Sequence, residues 1–99
     1  AARLYEMAAS QGYVKAQFSL GYLYEIGRGV AQNFTKAAQW YQQAASQGHA
    51  RAQNNLGVLY ANGKGVAQNV PLAISLYKQA AAQGDELAIG NLKRRGIRV

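Results

Sequence analysis

The chain contains no cysteine, one proline and one histidine among its 99 residues. Without cysteine it can form neither a disulfide framework nor a thiolate metal site. The single histidine, His49, has no repeated acidic neighbours, so the usual residues of a metal site or a nucleophilic triad are missing. We interpret His49 as an ordinary solvated residue. We expect no catalytic, cofactor or metal site, and an enzyme is the least favoured class of function.

Acidic residues are scarce as well: four Asp and Glu stand against eleven Lys and Arg, giving a formal net charge of +7. Such a surplus favours anionic partners through long-range attraction, although it also simply keeps a small domain in solution. Glu6 and Glu25 could form a carboxylate pair, but surface charges are the simpler interpretation. Long apolar runs are absent too, so we expect no membrane span, and the first residues lack the layout of a signal peptide.

The feature that the chain has in abundance is internal repetition. Gly12, Gly48 and Gly84 recur at intervals of 36 residues, and residues 13–48 match residues 49–84 at 19 of 36 positions without a gap. A period in the thirties is typical of a stacked helical array, in which each unit buries its apolar face against its neighbours. The sequence therefore predicts an all-α solenoid of antiparallel helix pairs.

Each full unit predicts two helices, which we name A and B. Apolar residues at helical spacing predict A helices over Val14–Ile26 and Ala50–Asn62, and B helices from about residue 34 to 46 and from about 70 to 82. The residues expected to end the A helices and to cap the B helices are Gly27, Gly63, Asn33 and Asn69.

The two ends are interpreted as partial repeats. Residues 1–12 match a B helix without its A partner. Residues 85–99 begin with a third A helix, expected from Asp85 to Arg95 with Asp85 as its cap. We therefore expect about six helices in the order B, A, B, A, B, A. Because the chain begins without methionine and in mid-repeat, we expect it to be part of a longer array.

Two further expectations concern these ends. Leu87 and Leu92 are expected to anchor the third A helix on the preceding B helix, whereas the last four residues, from Gly96, are expected to fray. At the other end the missing A helix is expected to leave Tyr5 and Met7 partly uncovered. An apolar surface of this kind favours self-association.

The repeated residues resemble those of a known family. The pattern Ala-Gln-x-x-Leu-Gly-x-Leu-Tyr-x-x-Gly-x-Gly-Val, followed by Ala-x-x-x-Tyr-x-x-Ala-Ala-x-Gln-Gly, stands at 16–48 and again at 52–84. It closely resembles the Sel1-like repeat, a relative of the tetratricopeptide repeat. The resemblance implies a right-handed superhelix that acts as an adaptor and binds peptides or protein partners on its concave face. The chain departs from the pattern in having Asn33 and Asn69, where Asp is common, and in lacking cysteine, which excludes the disulfide-closed branch.

A comparison of the two full units divides the surface of the A helix. Positions identical in both copies occupy one continuous arc of a helical wheel, and we expect this arc to pack against neighbouring units. The opposite arc differs between the copies, and we expect it to line the concave binding face. The predicted partner-binding residues are Lys15, Phe18, Tyr22, Ile26, Arg51, Asn54, Val58, Asn62 and Arg94.

Within this set Lys15, Arg51 and Arg94 are expected to form a basic row, which favours a ligand with carboxylates. Two interpretations stay open for Phe18 and for Ile26, namely groove lining and packing under the adjoining helix. For Tyr22 we favour the groove, because tyrosine combines apolar area with a polar tip.

The leading hypothesis is thus an adaptor module that binds a protein or an acidic peptide. The alternative is a nucleic-acid-binding repeat, since helical arrays of similar period can read single-stranded RNA. The basic residues of this sequence are scattered over turns, the outer B face and the C-terminal end, rather than gathered on one stripe with aromatic residues. This distribution ranks nucleic acid below protein as a partner.

Overall fold

Six α-helices and no strand occupy the part of the chain that the computed structural model describes, which is residues 2–98, with side chains from residue 3. The B helices are α1 (Ala2–Ser10), α3 (Phe34–Ser46) and α5 (Val70–Ala82), and the A helices are α2 (Val14–Ile26), α4 (Ala50–Asn62) and α6 (Glu86–Arg94). The all-α class and the order of the helices are as predicted. Ala1 and Val99, the outermost residues of the two partial repeats, lie outside the described residues.

Consecutive helices pack against each other along the whole array, and α4 also contacts α6. The A helices therefore lie side by side in one layer, and the B helices form the other. The stack is elongated, with extents of 40 × 24 × 17 Å.

The helix ends follow from local chemistry. Asn33 Oδ1 accepts a hydrogen bond from the Lys36 N–H at 3.0 Å, and Asn69 caps α5 in the same way. Gly27 and Gly63 end α2 and α4 in the left-handed conformation, at φ of 73° and 67°, which glycine adopts without a steric penalty. These caps and stops confirm the predicted boundaries of the A and B helices.

A close approach between α2 and α3 explains one of the repeated glycines. A Cβ atom on Gly21 would lie 2.7 Å from Cδ1 of Tyr41, and a Cβ atom on Gly57 would lie 2.8 Å from Cε1 of Tyr77. Helices α2 and α4 thus each offer a slot without a side chain, and the tyrosine of the following B helix fills it. In α6 the corresponding position is Lys93, so that helix offers no such slot.

The C-terminal end corrects two expectations. Leu92 is fully buried and anchors α6 as predicted, but Leu87 is 51% exposed and does not. The prediction of a fraying tail is also wrong for the described residues 96–98, because Ile97 packs against the core cluster that contains Tyr77. The Ile97 N–H donates to the Leu92 carbonyl at 2.9 Å, which holds the turn after α6 in place.

The N-terminal helix exposes apolar side chains on the face that no other described helix covers. Leu4 is 72% exposed and Met7 is 58% exposed, whereas Ala9, on the opposite side, is buried in the core. The expected uncovered surface is therefore present.

Candidate functional site

A cleft of about 450 Å³ crosses the layer of A helices. All three A helices contribute to it. Its lining residues are Phe18, Tyr22, Glu25, Arg51, Asn55, Val58 and Leu87. We refer to it as the A-helix cleft.

Phe18 both packs and lines this cleft, which joins the two interpretations left open by the sequence. Its ring stacks on that of His49 at a centroid distance of 4.7 Å and tilts against that of Tyr41 at 5.8 Å. These contacts place the Phe18 ring at the edge of the cleft.

Tyr22 lines the cleft and is 47% exposed. Its side chain is therefore open to solvent at the cleft. Ile26, one turn further along α2, is exposed but lies outside the lining, and so does Asn62 at the end of α4.

A chain of hydrogen bonds, which we name the polar chain, runs from α6 through α4 to the cleft. Arg94 Nη2 donates to Asn91 Oδ1, and Asn91 Nδ2 donates to Asn54 Oδ1 at 2.8 Å. Asn54 Nδ2 in turn donates to Asn55 Oδ1 at 3.3 Å. Asn54 is only 2% exposed, which corrects its predicted place on the ligand-contacting surface.

The polar chain ends on a carboxylate of α2. Asn55 Nδ2 lies 3.4 Å from the Tyr41 hydroxyl, which donates to Glu25 Oε1 at 2.6 Å. Burial and the neighbouring Glu25 carboxylate raise the pKa of Tyr41 well above its ordinary value of 10.0, so the hydroxyl stays a neutral donor. Every donor in the polar chain points towards Glu25. The polar chain therefore has a cationic end at Arg94 and an anionic end at Glu25 in the cleft.

The expected basic row is only partly present. Of its three members only Arg51 lines the cleft, and its Nε lies 2.9 Å from Asp85 Oδ1. Leu87, rather than Arg94, occupies the position one period after Arg51. The cleft therefore presents one ion-paired guanidinium beside an exposed leucine.

His49 has a structural role that the sequence did not indicate. Its Nδ1 accepts the Ala52 N–H at 3.1 Å and so caps α4, and the residue is half-buried beneath Phe18. Burial, together with the positive charges of Arg51 and Lys15, lowers the pKa of His49, while Asp85 opposes them. The interpretation of His49 as an ordinary solvated residue is wrong.

Glu6 and Glu25 each bind a different tyrosine hydroxyl. Glu6 Oε1 accepts from Tyr24 at 3.1 Å, and Glu25 Oε1 accepts from Tyr41. They are more than surface charges, because each joins two helices.

Three cleft residues were absent from the predicted set: Glu25, Asn55 and Leu87. All three lie on the arc of the A helix that varies between units, so the same comparison could have selected them. From the sequence, Glu25 is interpreted as a surface charge, and Leu87 is expected to anchor α6 on the preceding B helix.

Among the described side chains, no three His, Cys, Asp or Glu residues converge as metal ligands would. Over the same range, no helix has both the length and the apolar character needed to cross a membrane.

Helix pairs at a fixed period, with a cleft across one layer, define a solenoid of helical repeats. Sequence comparison identifies the particular repeat: the family model of the Sel1 repeat matches residues 1–13, 14–49 and 50–85. The chain belongs to the Sel1 repeat family, as its motifs indicated. A search of curated proteins finds no match.

Solved structures give the same result. A Sel1 repeat protein from Oxalobacter formigenes is 43% identical, with a TM-score of 0.89, over 93% of this chain and 69% of that one. The protective antigen c5321 of uropathogenic Escherichia coli is 35% identical, with a TM-score of 0.86, over 95% of this chain but 21% of the antigen. Helicobacter pylori cysteine rich protein B is 30% identical, with a TM-score of 0.84, over 92% of this chain and 68% of that one. Sel1 repeats generally serve as protein interaction modules, and no catalytic family is indicated.

Proposed function

We propose that the A-helix cleft binds an extended segment of a partner protein, and that the chain acts as an adaptor rather than as an enzyme. The observation that carries this proposal is the cleft itself, which spans all three A helices and exposes Tyr22 and Leu87 at its two sides. Aromatic and aliphatic side chains in a partly enclosed site are the usual anchors of a protein interface.

The polar residues of the cleft favour a ligand that carries charge. The Arg51 side chain is 45% exposed despite its ion pair, so its remaining N–H groups are free to bind a carboxylate of the ligand. Glu25 offers an acceptor on the opposite side, already polarised by the Tyr41 hydroxyl. A segment with an acidic residue to pair with Arg51 and an N–H or O–H donor to reach Glu25 would match both features.

The test uses a random 12-residue peptide library displayed on phage and selected against the intact protein. Selected peptides are then synthesised, and their affinities are measured by fluorescence polarisation. We expect Tyr22→Ala to weaken binding by about tenfold or more, as for a residue at the centre of an interface. The matched control is Tyr13→Ala, because Tyr13 is a tyrosine with 63% exposure that lies outside the cleft. Equal effects of the two substitutions would exclude the cleft as the binding site.

Single-stranded RNA is the competing ligand, because the net charge is +7. Two of the cations lie over aromatic rings of this chain, Lys36 over Tyr24 and Lys64 over Phe34. Titration with an RNA oligonucleotide at two salt concentrations separates the candidates, because neutralised phosphates produce a steep dependence on salt. Tight, salt-sensitive binding that survives Tyr22→Ala would favour RNA over a peptide.

A further inference from the structure

The two full units place the same tyrosine in the same slot but give its hydroxyl different surroundings. Tyr41 sits in the slot at Gly21 and Tyr77 in the slot at Gly57, with near-identical close approaches of 2.7 and 2.8 Å to an added Cβ. In the first unit the hydroxyl has two partners, the Glu25 carboxylate at 2.6 Å and the Asn55 amide at 3.4 Å.

In the second unit both of these partners are missing. Ala61 stands where the first unit has Glu25, and its methyl group packs in the same core cluster as Tyr77. Asn91 stands where the first unit has Asn55, but its amide donates to Asn54 instead. Tyr77 is 3% exposed, and its hydroxyl donates no hydrogen bond to the described residues.

The charges near this hydroxyl are positive. Burial raises the pKa of Tyr77, and the nearby Arg95 and Arg94 oppose that shift. No carboxylate contributes to the pKa shift of Tyr77, whereas Glu25 contributes to that of Tyr41. Asp85, the buried acid of this end, is already paired with Arg51.

We propose that a carboxylate from a partner protein binds next to the Ala61 methyl group. There the carboxylate accepts a hydrogen bond from the Tyr77 hydroxyl and pairs with Arg94. The tyrosine–carboxylate contact of such a complex is already present in the first unit, where Glu25 supplies the carboxylate from within the chain. The polar chain connects Arg94 through Asn91 to Asn55 in the A-helix cleft. The inference that a segment bound in that cleft supplies the carboxylate rests on the proposed function. The inference that Tyr77 and Arg94 form a carboxylate site does not.

The first experiment supplies the carboxylate from the chain and needs no partner. We expect Ala61→Glu to raise the melting temperature by about 4 to 8 °C, and we expect most of that gain to disappear in the Tyr77→Phe background. Asn62→Glu is the control for added charge alone, because it introduces the same group on the exposed neighbouring position. If Ala61→Glu changes the melting temperature equally with and without the Tyr77 hydroxyl, the proposal is overturned.

The second experiment titrates the unmodified protein with sodium acetate, against sodium chloride at the same ionic strength, and follows the Arg94 and Arg95 side-chain N–H signals by NMR. We expect saturable shifts with a dissociation constant roughly in the millimolar range, which Arg94→Gln and Tyr77→Phe each weaken. Inorganic phosphate is the second probe. Shifts that do not saturate with acetate, or that saturate at lower concentration with phosphate, would contradict a carboxylate site.

The two proposals fail in different ways. Loss of peptide binding with an intact coupling between Ala61→Glu and Tyr77 would reject the adaptor proposal and keep the carboxylate site. Peptide binding that is unchanged by Arg94→Gln, with no such coupling, would reject the carboxylate site and keep the cleft.

Discussion

Gln47 donates its side-chain amide to Oε1 of Gln17 at 2.7 Å, and the same bond recurs one repeat later from Gln83 to Gln53 at 3.1 Å. Each acceptor is buried in an A helix and donates its own amide to a main-chain carbonyl near the end of the preceding B helix. One buried glutamine per unit therefore ties together the B helices on its two sides. These bonds supply directional contacts between neighbouring repeats, in addition to apolar packing.

Gln53→Ala should lower the free energy of unfolding by about 2 kcal/mol, because it removes a buried amide whose partners are left without it. Urea denaturation followed by circular dichroism would measure the loss. Gln79→Ala is the matched control: Gln79 is an exposed glutamine of α5, and its loss should change stability by less than about 0.5 kcal/mol. Similar losses in the two variants would mean that the glutamine bonds do not stabilise the array.

Gly57→Ala should destabilise the fold by about 1 to 3 kcal/mol, because the added Cβ would lie 2.8 Å from the Tyr77 ring and 3.2 Å from the Ala73 carbonyl oxygen. Gly90→Ala makes the same substitution where there is room for the side chain, because the atom nearest to the added Cβ is 3.9 Å away. A helical glycine in open space costs conformational entropy, so this variant should gain about 0.5 to 1 kcal/mol. Thermal melts of both variants test the pair, and a stable Gly57→Ala protein would show that the tyrosine slot is not required.

The fold could be predicted almost completely because its signals are local and occur twice. Asn33 and Asn69 cap their own helices, and Gly27 and Gly63 need only their own backbone conformation. Signals of this kind depend on neighbours a few residues away, which the sequence displays directly.

The cleft was harder to predict because its members depend on contacts between units. Nothing near Asn54 in sequence indicates that Asn91, 37 residues later, will donate a hydrogen bond to its side chain. The local sequence of His49 likewise gives no sign that the Phe18 ring stacks on its imidazole. A helical wheel gives the direction of a side chain but not the partner that meets it.

Stability should fall as the pH drops below 6.5, because the folded state holds the pKa of His49 below that ordinary value. Above pH 6.5 the imidazole is neutral in both states and its stabilising contribution is complete. Below it the unfolded chain takes up a proton that the folded chain resists, so stability is lost until the pH passes the lowered pKa. The neutral Nδ1 is also needed to cap α4.

His49→Asn keeps a capping side chain but does not titrate in this range. The difference in melting temperature between the two proteins, measured from pH 8 to pH 4, isolates the contribution of His49 from that of the carboxylates. A difference that does not vary with pH would reject this assignment.

The exposed face of α1 should promote self-association at high protein concentration, because Leu4 and Met7 form an apolar surface without a partner. Sedimentation velocity over a concentration series would detect it. The double substitution Leu4→Glu and Met7→Glu should abolish concentration dependence, whereas Leu72→Glu on α5 should preserve it. A protein that sediments as a monomer throughout would contradict the prediction.

A chain that stops after Gly84 should lose much of its stability or aggregate. It lacks Ala88 and Leu92, both fully buried, and so uncovers the face of α5 that carries Tyr77. In a linear array each unit is stabilised mainly by its neighbours, so α5 would lose the helix packed on one side.

A chain that stops after Arg95 tests the corrected view of the C-terminal tail. It keeps α6 but loses Ile97, whose side chain packs near Tyr77 and whose N–H donates to the Leu92 carbonyl. The truncation removes a partly buried aliphatic side chain and two main-chain hydrogen bonds, from Gly96 N–H to Lys93 and from Ile97 N–H to Leu92. We therefore expect a loss of about 1 to 2 kcal/mol, well below that of the shorter chain. Ile97→Ala in the full chain is the comparison, since it removes the packing and keeps the main-chain bonds. An unchanged melting temperature after truncation at Arg95 would restore the expectation of a fraying tail, and an unchanged one after truncation at Gly84 would remove α6 from the cooperative fold.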